Sequence, residues 1–241
     1  MFVESFTFHD FLIQPAAYSR VKSRSKVNTS VRIGNLSLKL PVISASMSIF
    51  DTVSPFDNTI SLEFAKAMSA AGGMHIFSRG TPFSERFNAV CKLSENGYNV
   101  GIAVSLDEFK ENRTLLENIA AIVSIDIANG SIIDEIYWNS PYPLIVGNFA
   151  NPSISLTDRF SGNIILKMGV GNGSACSTRV VTGVGAPQAG LVYDSSRNSN
   201  FPIISDGGIS SVSDFTKAIA LGADLVMTGR MFGHAVESPW E

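Results

Sequence analysis

The sequence predicts an α/β fold in which eight parallel strands alternate with helices, the (β/α)8 or TIM barrel. Short apolar runs recur along the 241 residues without the polar alternation of a half-exposed strand, so both faces of each predicted strand are buried. Amphipathic segments with helical spacing separate several of these runs. Hydrophobic residues make up 45% of the chain, which supports a large core. Since no linker or repeat divides the sequence, we expect one domain over residues 1–241.

The predicted strands and helices follow one another in the order that a barrel requires. The strands are 41–46, 74–77, 100–104, 121–128, 144–149, 164–170, 202–205 and 224–228. Helical spacing predicts helices at 63–71, 84–94, 109–119 and 212–221. The first 40 residues form an N-terminal extension, and the polar segment 48–61 is predicted to be a long loop. Since the chain ends shortly after the last strand, we expect a barrel truncated after strand eight.

A doubly wound open sheet is the alternative architecture, because it also alternates buried parallel strands with helices. The glycine fingerprint of dinucleotide-binding open sheets is absent after the first predicted strand. A barrel brings the carboxyl ends of all its strands to one face, where the active sites of this fold lie. The residues that follow each strand are therefore the candidates for chemistry.

Composition and charge exclude several classes of function. The formal net charge is −3, which does not favour binding to nucleic acid or to an anionic membrane. The chain has 2 cysteines, too few for a disulfide framework. It shows neither a signal peptide nor an apolar run long enough to cross a membrane. We therefore expect a soluble, cytoplasmic protein without nucleic-acid or membrane partners.

The segment 167–188 after the sixth strand, KMGVGNGSACSTRVVTGVGAPQ, is the most informative part of the sequence. Its many glycines allow positive φ and close approach of the backbone to a ligand, with amides for an anion or carbonyls for a cation. Cys176 lies in its middle near Arg179, whose charge favours a thiolate. Cys176 is thus a candidate nucleophile rather than a small core residue. Cys91, inside a predicted helix, is interpreted as a packing residue.

Two later strand ends carry features of phosphate sites. Asp206 ends the seventh strand, where it can accept hydrogen bonds from ribose hydroxyls, and Gly207 and Gly208 open the next helix with free amides. Gly229 and Arg230 follow the eighth strand. The loops after strands seven and eight are the frequent phosphate site of barrels. Ordinary turn chemistry is the alternative for each feature alone, but together they indicate a phosphorylated ligand.

Single polar residues at other strand ends complete the candidate set. Asp126 is a lone carboxylate in an apolar strand, where burial without a partner is costly, so a functional role is predicted. Asn148 ends the fifth strand and can bind a ribose or a base edge. His9, His75 and His234 lack the spacing of metal ligands and are interpreted as structural or surface residues.

The run GVGNGSACSTRVVTGVGAPQ resembles the active-site loop of the IMP dehydrogenase and GMP reductase family. Further segments follow in the family's order: SFTFHDFLIQP, KSRSKV, PVISASM, IDIANG, VGNFA, ISDGG, ADLVMTGRM and VESP. No insertion is long enough for the CBS domain pair of typical IMP dehydrogenases. That absence and Asn129 within IDIANG are more similar to GMP reductases. The resemblance implies a barrel that assembles as a homo-oligomer, usually a tetramer.

The resemblance also implies a reaction, the NADPH-dependent reductive deamination of GMP or dGMP to the hypoxanthine nucleotide and ammonia. It implies that Cys176 attacks purine C2 to form a thioimidate and that Thr178 relays a proton. Hydride transfer needs a nicotinamide, because no side chain supplies hydride. The carbonyls of Gly171, Gly173 and Cys176, with Arg179 nearby, match positions that bind a monovalent cation, K⁺.

Binding roles follow from the same resemblance, position by position. The positions that match nucleotide contacts are Met47, Arg79, Ser174, Asp206, Gly207, Gly208, Gly229 and Arg230. The family has a lysine where this chain has Arg79, and the two are not equivalent at a close contact. The positions that match cofactor contacts are Ser23, Arg24, Asp126, Ala128, Asn129, Val170 and Gly171. Of these, Ser23 and Arg24 match positions that reach the cofactor of a neighbouring subunit.

The sequence also departs from the family pattern. The family continues past strand eight with a flap, base-reading residues, the catalytic glutamate of GMP reductases and the last helix, whereas this sequence ends at SPWE. Glu237 belongs to a retained ES pair and does not match that glutamate. The segment 48–61 is longer than in the family. Three alternatives therefore stay open: an IMP dehydrogenase-like oxidation, reduction of a modified purine nucleotide with NADH or NADPH, and a nucleotide-binding pseudoenzyme or split-enzyme subunit whose barrel another chain completes.

Overall fold

Eight parallel strands form one sheet that closes on itself in the computed structural model, which describes residues 5–54, 57–151, 158–174, 176–233 and 235–238. The strands are β1 (Val42–Ser44), β2 (His75–Phe77), β3 (Val100–Val104), β4 (Ile122–Asp126), β5 (Leu144–Phe149), β6 (Ile164–Met168), β7 (Ile203–Asp206) and β8 (Leu225–Thr228). Sequential strands from β2 to β8 pair in parallel, and β8 pairs with β1. All eight predicted strands are confirmed. His234 lies outside the described residues.

Hydrogen bonds between β1 and the start of β2 complete the barrel. The amide of Ser44 donates to the carbonyl of Met74 at 3.0 Å, and the amide of Met74 donates to the carbonyl of Val42 at 3.1 Å. These bonds form a parallel bridge between Ile43 on β1 and Met74, which directly precedes β2. An open doubly wound sheet would leave two free edges here. The barrel prediction is therefore confirmed over the open sheet.

Six α-helices are present in the described residues: α1 (Glu63–Ala71), α2 (Phe83–Glu95), α3 (Leu106–Glu117), α4 (Thr178–Thr182), α5 (Gln188–Asn198) and α6 (Val212–Ala220). The four predicted helices are confirmed as α1, α2, α3 and α6. Helix α3 begins three residues earlier than predicted because Ser105 and Glu108 form a capping box, with reciprocal bonds of 3.0 and 3.1 Å. Helices α4 and α5 are additional to the prediction, since the glycines and the proline around them are typical of loops.

The connections after β4 and β5 differ from simple barrel helices. The described residues after β4 form a short 3-10 turn, Gly130–Ile132, and the strand Ile136–Trp138. That strand pairs in parallel with Phe160–Gly162, which lies before β6. No helix of the described ranges is long and apolar enough to cross a membrane.

The N-terminal extension contributes a β-hairpin that covers one end of the barrel. Val31–Ile33 pairs antiparallel with Leu36–Leu38. Leu36 and Leu38 are buried and pack in one cluster with inward-facing residues of the barrel, including Ile122 at the start of β4. Apolar contact thus seals the end where the strands begin. The opposite end, where the strands finish, is free to hold a site.

The segment 48–61 is more ordered than the predicted loop. It contains a 3-10 turn, Ser48–Phe50, and an antiparallel pair formed by Thr52–Ser54 and Asp57–Ile60. The buried Asp51 accepts hydrogen bonds from the Ser78 amide at 2.5 Å and the Ser78 hydroxyl at 3.2 Å. These bonds satisfy a carboxylate away from water and join the loops that follow β1 and β2.

Candidate active site

Two adjoining cavities open at the carboxyl ends of the barrel strands. The larger has a volume of about 760 Å³ and the smaller about 350 Å³. Residues common to both walls are Ala45, Met47, Gly171, Cys176, Asp206 and Met227. The predicted nucleophile, Cys176, therefore lies where the two spaces meet. A group held in one cavity can react there with a group held in the other.

The larger cavity brings together most of the residues predicted to bind the nucleotide. They are Met47, Ser174, Asp206, Gly207, Gly208, Gly229 and Arg230. A Cβ on Gly229 would lie 2.7 Å from the sulfur of Met47, and one on Gly207 would lie 3.0 Å from the Gly173 nitrogen. Glycine at these positions lets the loop after β8 approach the loop after β1, and the loop after β7 approach the loop after β6. Thr7, Phe8 and His9 of the N-terminal segment complete this wall.

The smaller cavity holds most of the residues predicted to bind the cofactor. Asp126, Ala128, Val170 and Gly171 line it, together with Thr178. Arg79, which is predicted to contact the nucleotide, also lines this cavity rather than the larger one. A guanidinium, a carboxylate and a hydroxyl thus surround the side of Cys176 that faces away from the predicted phosphate site.

Hydrogen bonds around Cys176 favour its thiolate. Hydrogen bonding by the hydroxyl and amide of Thr178, and by the amide of Gly171, lowers the pKa of the Cys176 thiol, although partial burial and the charge of Asp206 oppose this. The Cys176 amide donates to the Gly173 carbonyl at 3.0 Å, which fixes the turn. On α2, burial and then the charge of Glu95 raise the pKa of Cys91. The two thiols therefore differ in the ease with which they ionise, and the role of Cys176 as a nucleophile stays a prediction.

The loop that carries Cys176 is fixed by a buried glutamine that sequence analysis missed. Gln188, the first residue of α5, donates from Nε2 to the Met168 carbonyl at 2.8 Å and to the Ser205 hydroxyl at 3.2 Å. Its Oε1 accepts a hydrogen bond from Asn172 at 2.8 Å. One side chain thereby joins β6, β7 and the loop. The sequence indicates this role of Gln188 only by its position directly after Gly185, Ala186 and Pro187.

Asp126 and Asp206 are part of a charged network whose cation sequence analysis also missed. The Lys167 ammonium pairs with Asp126 Oδ1, and the Ser46 hydroxyl donates to Asp126 Oδ2 at 2.8 Å. Asn148 donates to Asp206 Oδ2 at 2.7 Å and to the Gly169 carbonyl at 2.7 Å. A lysine within an apolar strand is the same kind of signal that indicated Asp126. It was available in the sequence.

The protonation of these carboxylates follows from burial and from Lys167. Burial opposes ionisation of Asp126, but the charge and hydrogen bond of Lys167, with Ser46, hold the pKa of Asp126 below its usual value. Burial raises the pKa of Asp206, although Lys167 and Asn148 oppose this. The two carboxylates thus differ in the ease with which they accept a proton.

Comparison with known proteins agrees with this arrangement. The family model described as IMP dehydrogenase / GMP reductase domain matches residues 5–241. A GMP reductase of Oceanobacillus iheyensis is 31% identical over 98% of this chain and 73% of its own length. The chain belongs to the IMP dehydrogenase / GMP reductase family.

Other members of the family are similar to the same degree. A GMP reductase of Streptococcus agalactiae is 31% identical over 91% of this chain and 67% of its own length. An inosine-5'-monophosphate dehydrogenase of Borreliella burgdorferi is 31% identical over 99% of this chain and 72% of its own length. Identity alone therefore does not distinguish the two activities of the family.

Three residues predicted from the family resemblance to bind the cofactor lie outside both cavity walls. Ser23 caps the exposed 3-10 turn Arg24–Lys26, and its hydroxyl accepts a bond from the Ser25 amide. The side chain of Asn129 accepts a bond from the Ser131 amide at 3.1 Å and caps the turn after β4. Arg24 is exposed. Their roles toward a neighbouring subunit or a cofactor stay predictions.

Proposed function

We propose that the protein is a GMP reductase-like oxidoreductase that converts a purine nucleotide, GMP or dGMP, to the hypoxanthine nucleotide and ammonia with NADPH. The position of Cys176 carries this proposal. Its sulfur accepts hydrogen bonds that favour the thiolate, and it lies between a cavity with phosphate-binding features and a second cavity. The segment IDIANG, whose Asn129 resembles GMP reductases, supports this direction of the reaction together with the similarity to two GMP reductases.

The nucleotide occupies the larger cavity in this proposal. Arg230 and the amides of the loops after β6, β7 and β8 hold its phosphate, with Ser174 as a hydroxyl donor. Asp206 accepts hydrogen bonds from the ribose hydroxyls. Met47 packs against the purine, which places C2 beside the sulfur of Cys176. A glycine-rich wall suits this ligand because backbone amides bind phosphate without adding net charge.

The chemistry begins when the Cys176 thiolate attacks C2 of the purine and forms a C2–S bond. The exocyclic amine then takes a proton and departs from C2 as ammonia. The nucleotide remains bound to Cys176 as a thioimidate. Thr178, which is hydrogen-bonded to the sulfur and lines the smaller cavity, passes that proton from solvent. A hydride added at C2 breaks the C2–S bond, which releases the hypoxanthine nucleotide and restores the thiolate.

The smaller cavity has side chains that fit the nicotinamide end of NADPH. Asp126 offers a carboxylate to ribose hydroxyls and Arg79 offers a positive charge. Bound NADPH supplies the hydride. A monovalent cation, K⁺, fits the main-chain carbonyls of Gly171, Gly173 and Cys176, because neutral carbonyl oxygens are ligands that K⁺ accepts. We further propose a homo-oligomer in the cytoplasm, as the family resemblance implies.

The direct test is NADPH oxidation at 340 nm in potassium buffer with GMP, dGMP and XMP. Turnover is expected with GMP or dGMP, and Cys176→Ala abolishes it because the C2–S bond cannot form. Cys91→Ala, which removes the other thiol, is the matched control and retains activity. Absence of turnover with every nucleotide, or turnover that survives in Cys176→Ala, would contradict the proposal.

An IMP dehydrogenase-like oxidation is the second candidate function. The similarity to the Borreliella burgdorferi dehydrogenase, at the same identity and over 99% of this chain, favours it. The same cysteine and the same pair of cavities serve both directions. IMP with NAD⁺ tests it, since absorbance at 340 nm then rises. If absorbance at 340 nm rises with IMP and NAD⁺ but does not fall with GMP and NADPH, this proposal replaces the first one.

A further inference from the structure

Lys167 is a buried lysine on the apolar strand β6, and the groups that pair with its charge lie on other strands. Its side chain is 2% exposed, and its ammonium pairs with Asp126 at the end of β4. Burial disfavours the protonated form, but Asp126 and Asp206 raise the pKa of Lys167 above its usual value. Burying a lysine is costly, and these two carboxylates offset that cost.

Glycine at position 147 makes the contact between Lys167 and Asp126 possible. Gly147 lies on β5 in register with both residues, between the two strands that carry them. Neighbouring strands lie about 4.8 Å apart, so the lysine side chain must cross β5 to reach its partner. A Cβ on Gly147 would lie 2.6 Å from Lys167 Cβ. A residue without a side chain leaves this crossing open.

We propose that Lys167 is a positioning residue that connects the two cavities, because its charge keeps Asp126 on one side and Asp206 on the other as carboxylates. This inference rests on the proposed function, which assigns Asp126 to the cofactor and Asp206 to the nucleotide. A carboxylate accepts hydrogen bonds from ribose hydroxyls with both oxygens, whereas a protonated carboxyl has lost part of that capacity. Lys167, which itself lines the smaller cavity, therefore prepares both binding sites through these two carboxylates.

The charges around the network make the role of Lys167 testable. Asp126 is faced by Lys167, Arg79 and the Ser46 hydroxyl. Asp206 is faced by Lys167, the Asn148 amide and the like charge of Asp126, and it acts in turn on Cys176. Without Lys167, two carboxylates of like charge lie close together without their shared cation, and such an arrangement raises a carboxyl pKa.

The test measures the titration of the aspartates directly in the ligand-free protein. Carboxyl ¹³C resonances of labelled aspartate are followed against pH and assigned with Asp126→Asn and Asp206→Asn. In Lys167→Met the titration midpoints of Asp126 and Asp206 are expected to rise by about one pH unit or more. Lys167→Arg keeps the positive charge, so the two midpoints should lie between those of Lys167→Met and those of the native protein. Asp214, whose carboxylate accepts hydrogen bonds from Ser210 and Ser211 and whose pKa is lowered by groups that do not include Lys167, keeps its midpoint and serves as the internal control.

Two further variants keep the inference falsifiable if Lys167→Met does not fold. Asp126→Asn in the native background leaves the whole charge of Lys167 to Asp206, so the Asp206 midpoint falls. Gly147→Ala retains every charge but obstructs the lysine, so the Asp126 midpoint rises. Midpoints that stay at their native positions in these variants would overturn the inference.

Calorimetric titration with GMP between pH 5.5 and 8.5 connects the network to binding. The affinity is expected to weaken on the acid side as Asp206 takes a proton, and in Lys167→Met this weakening moves to higher pH together with the resonance. Moved resonances with no GMP binding in the native protein would contradict the proposed function, while the charge-holding role of Lys167 would stand. If the titration midpoint of Asp206 rises in Lys167→Met but the pH dependence of GMP affinity stays as in the native protein, Lys167 has no role in ligand binding and this part of the inference is overturned.

Discussion

Hydrogen bonding by the Thr178 hydroxyl lowers the pKa of the Cys176 thiol, which lies two residues earlier in the chain. Because this bond is stronger to a thiolate than to a thiol, Cys176 is expected to react with iodoacetamide at a lower pH than an ordinary cysteine. Thr178→Val removes the bond and should raise the midpoint of the pH–rate profile. At pH 7 the alkylation rate should then fall roughly threefold or more.

The other cysteine of the chain is the control for this measurement. Burial raises the pKa of the Cys91 thiol, so it should be alkylated later than Cys176 in the same sample. Mass spectrometry of the two peptides gives both rates at once. Thr178→Ser, which retains the hydroxyl, should keep the native profile. Equal rates at the two cysteines would mean that the loop does not activate its thiol.

Asp206→Ala should weaken nucleotide binding, because it removes a charged acceptor from the wall shared by both cavities. The loss of hydrogen bonds to a charged group costs about 1.5–3 kcal/mol, or roughly 10- to 100-fold in Kd for GMP. Isothermal titration calorimetry measures this loss. The matched control is Asp194→Ala, an exposed carboxylate on α5. Unchanged affinity in Asp206→Ala would place the ribose elsewhere.

Much of the site was predictable because its residues follow strand ends, and strand ends can be located from apolar runs. Asp126, Cys176, Asp206 and Arg230 all belong to cavity walls for this reason. The barrel collects these positions at one face whatever the details of its loops. The fold class and the location of the site can therefore be predicted from a single sequence, because both follow from the positions of its apolar runs.

Features that depend on distant partners were not predictable in the same way. Lys167 is paired with a residue 41 positions earlier, and neither its partner nor the gap over Gly147 can be obtained from spacing. Asn129 lies in a recognised segment, yet its amide oxygen caps a turn instead of lining a cavity. Competition between local capping and ligand contact is decided by backbone conformation, which composition does not specify.

Gly169→Ala should disrupt the site, because the loop after β6 passes directly against β7. Gly169 has φ +147°, and a Cβ there would lie 1.9 Å from the carbonyl oxygen of Asp206. Gly97 also has positive φ, at +80°, but no atom lies within 4 Å of its Cβ position, so Gly97→Ala isolates the cost of conformation.

Urea unfolding compares the two glycine variants. Gly97→Ala is expected to lower the free energy of unfolding by about 1 kcal/mol, since only the left-handed conformation is penalised. Gly169→Ala should lose at least about 2 kcal/mol more, because backbone atoms must also move. It should weaken GMP binding as well, whereas Gly97→Ala should not. Equal losses in the two variants would show that the contact with Asp206 relaxes without cost.

His75 on β2 is expected to destabilise the fold in acid. Its Nδ1 lies 2.7 Å from the Ser44 hydroxyl, and complete burial lowers the pKa of His75 from 6.5 to about 3. Between these values the unfolded chain binds a proton that the folded chain does not. The free energy of unfolding therefore falls as the pH drops from about 6.5 to about 3, by at most about 1.4 kcal/mol per pH unit.

Urea unfolding at a series of pH values tests this dependence with His75→Gln, a neutral side chain that can still hydrogen-bond Ser44. In this variant the slope of the free energy of unfolding against pH should fall between pH 6 and pH 4, by at most the contribution of one proton. His9→Gln is the control, since it removes an exposed histidine at the rim of the larger cavity. This variant should keep the pH dependence of the free energy of unfolding that is lost in His75→Gln. Identical slopes in the native protein and His75→Gln would show that the imidazole accepts its proton inside the folded barrel, with β1 and β2 adjusting around the charge.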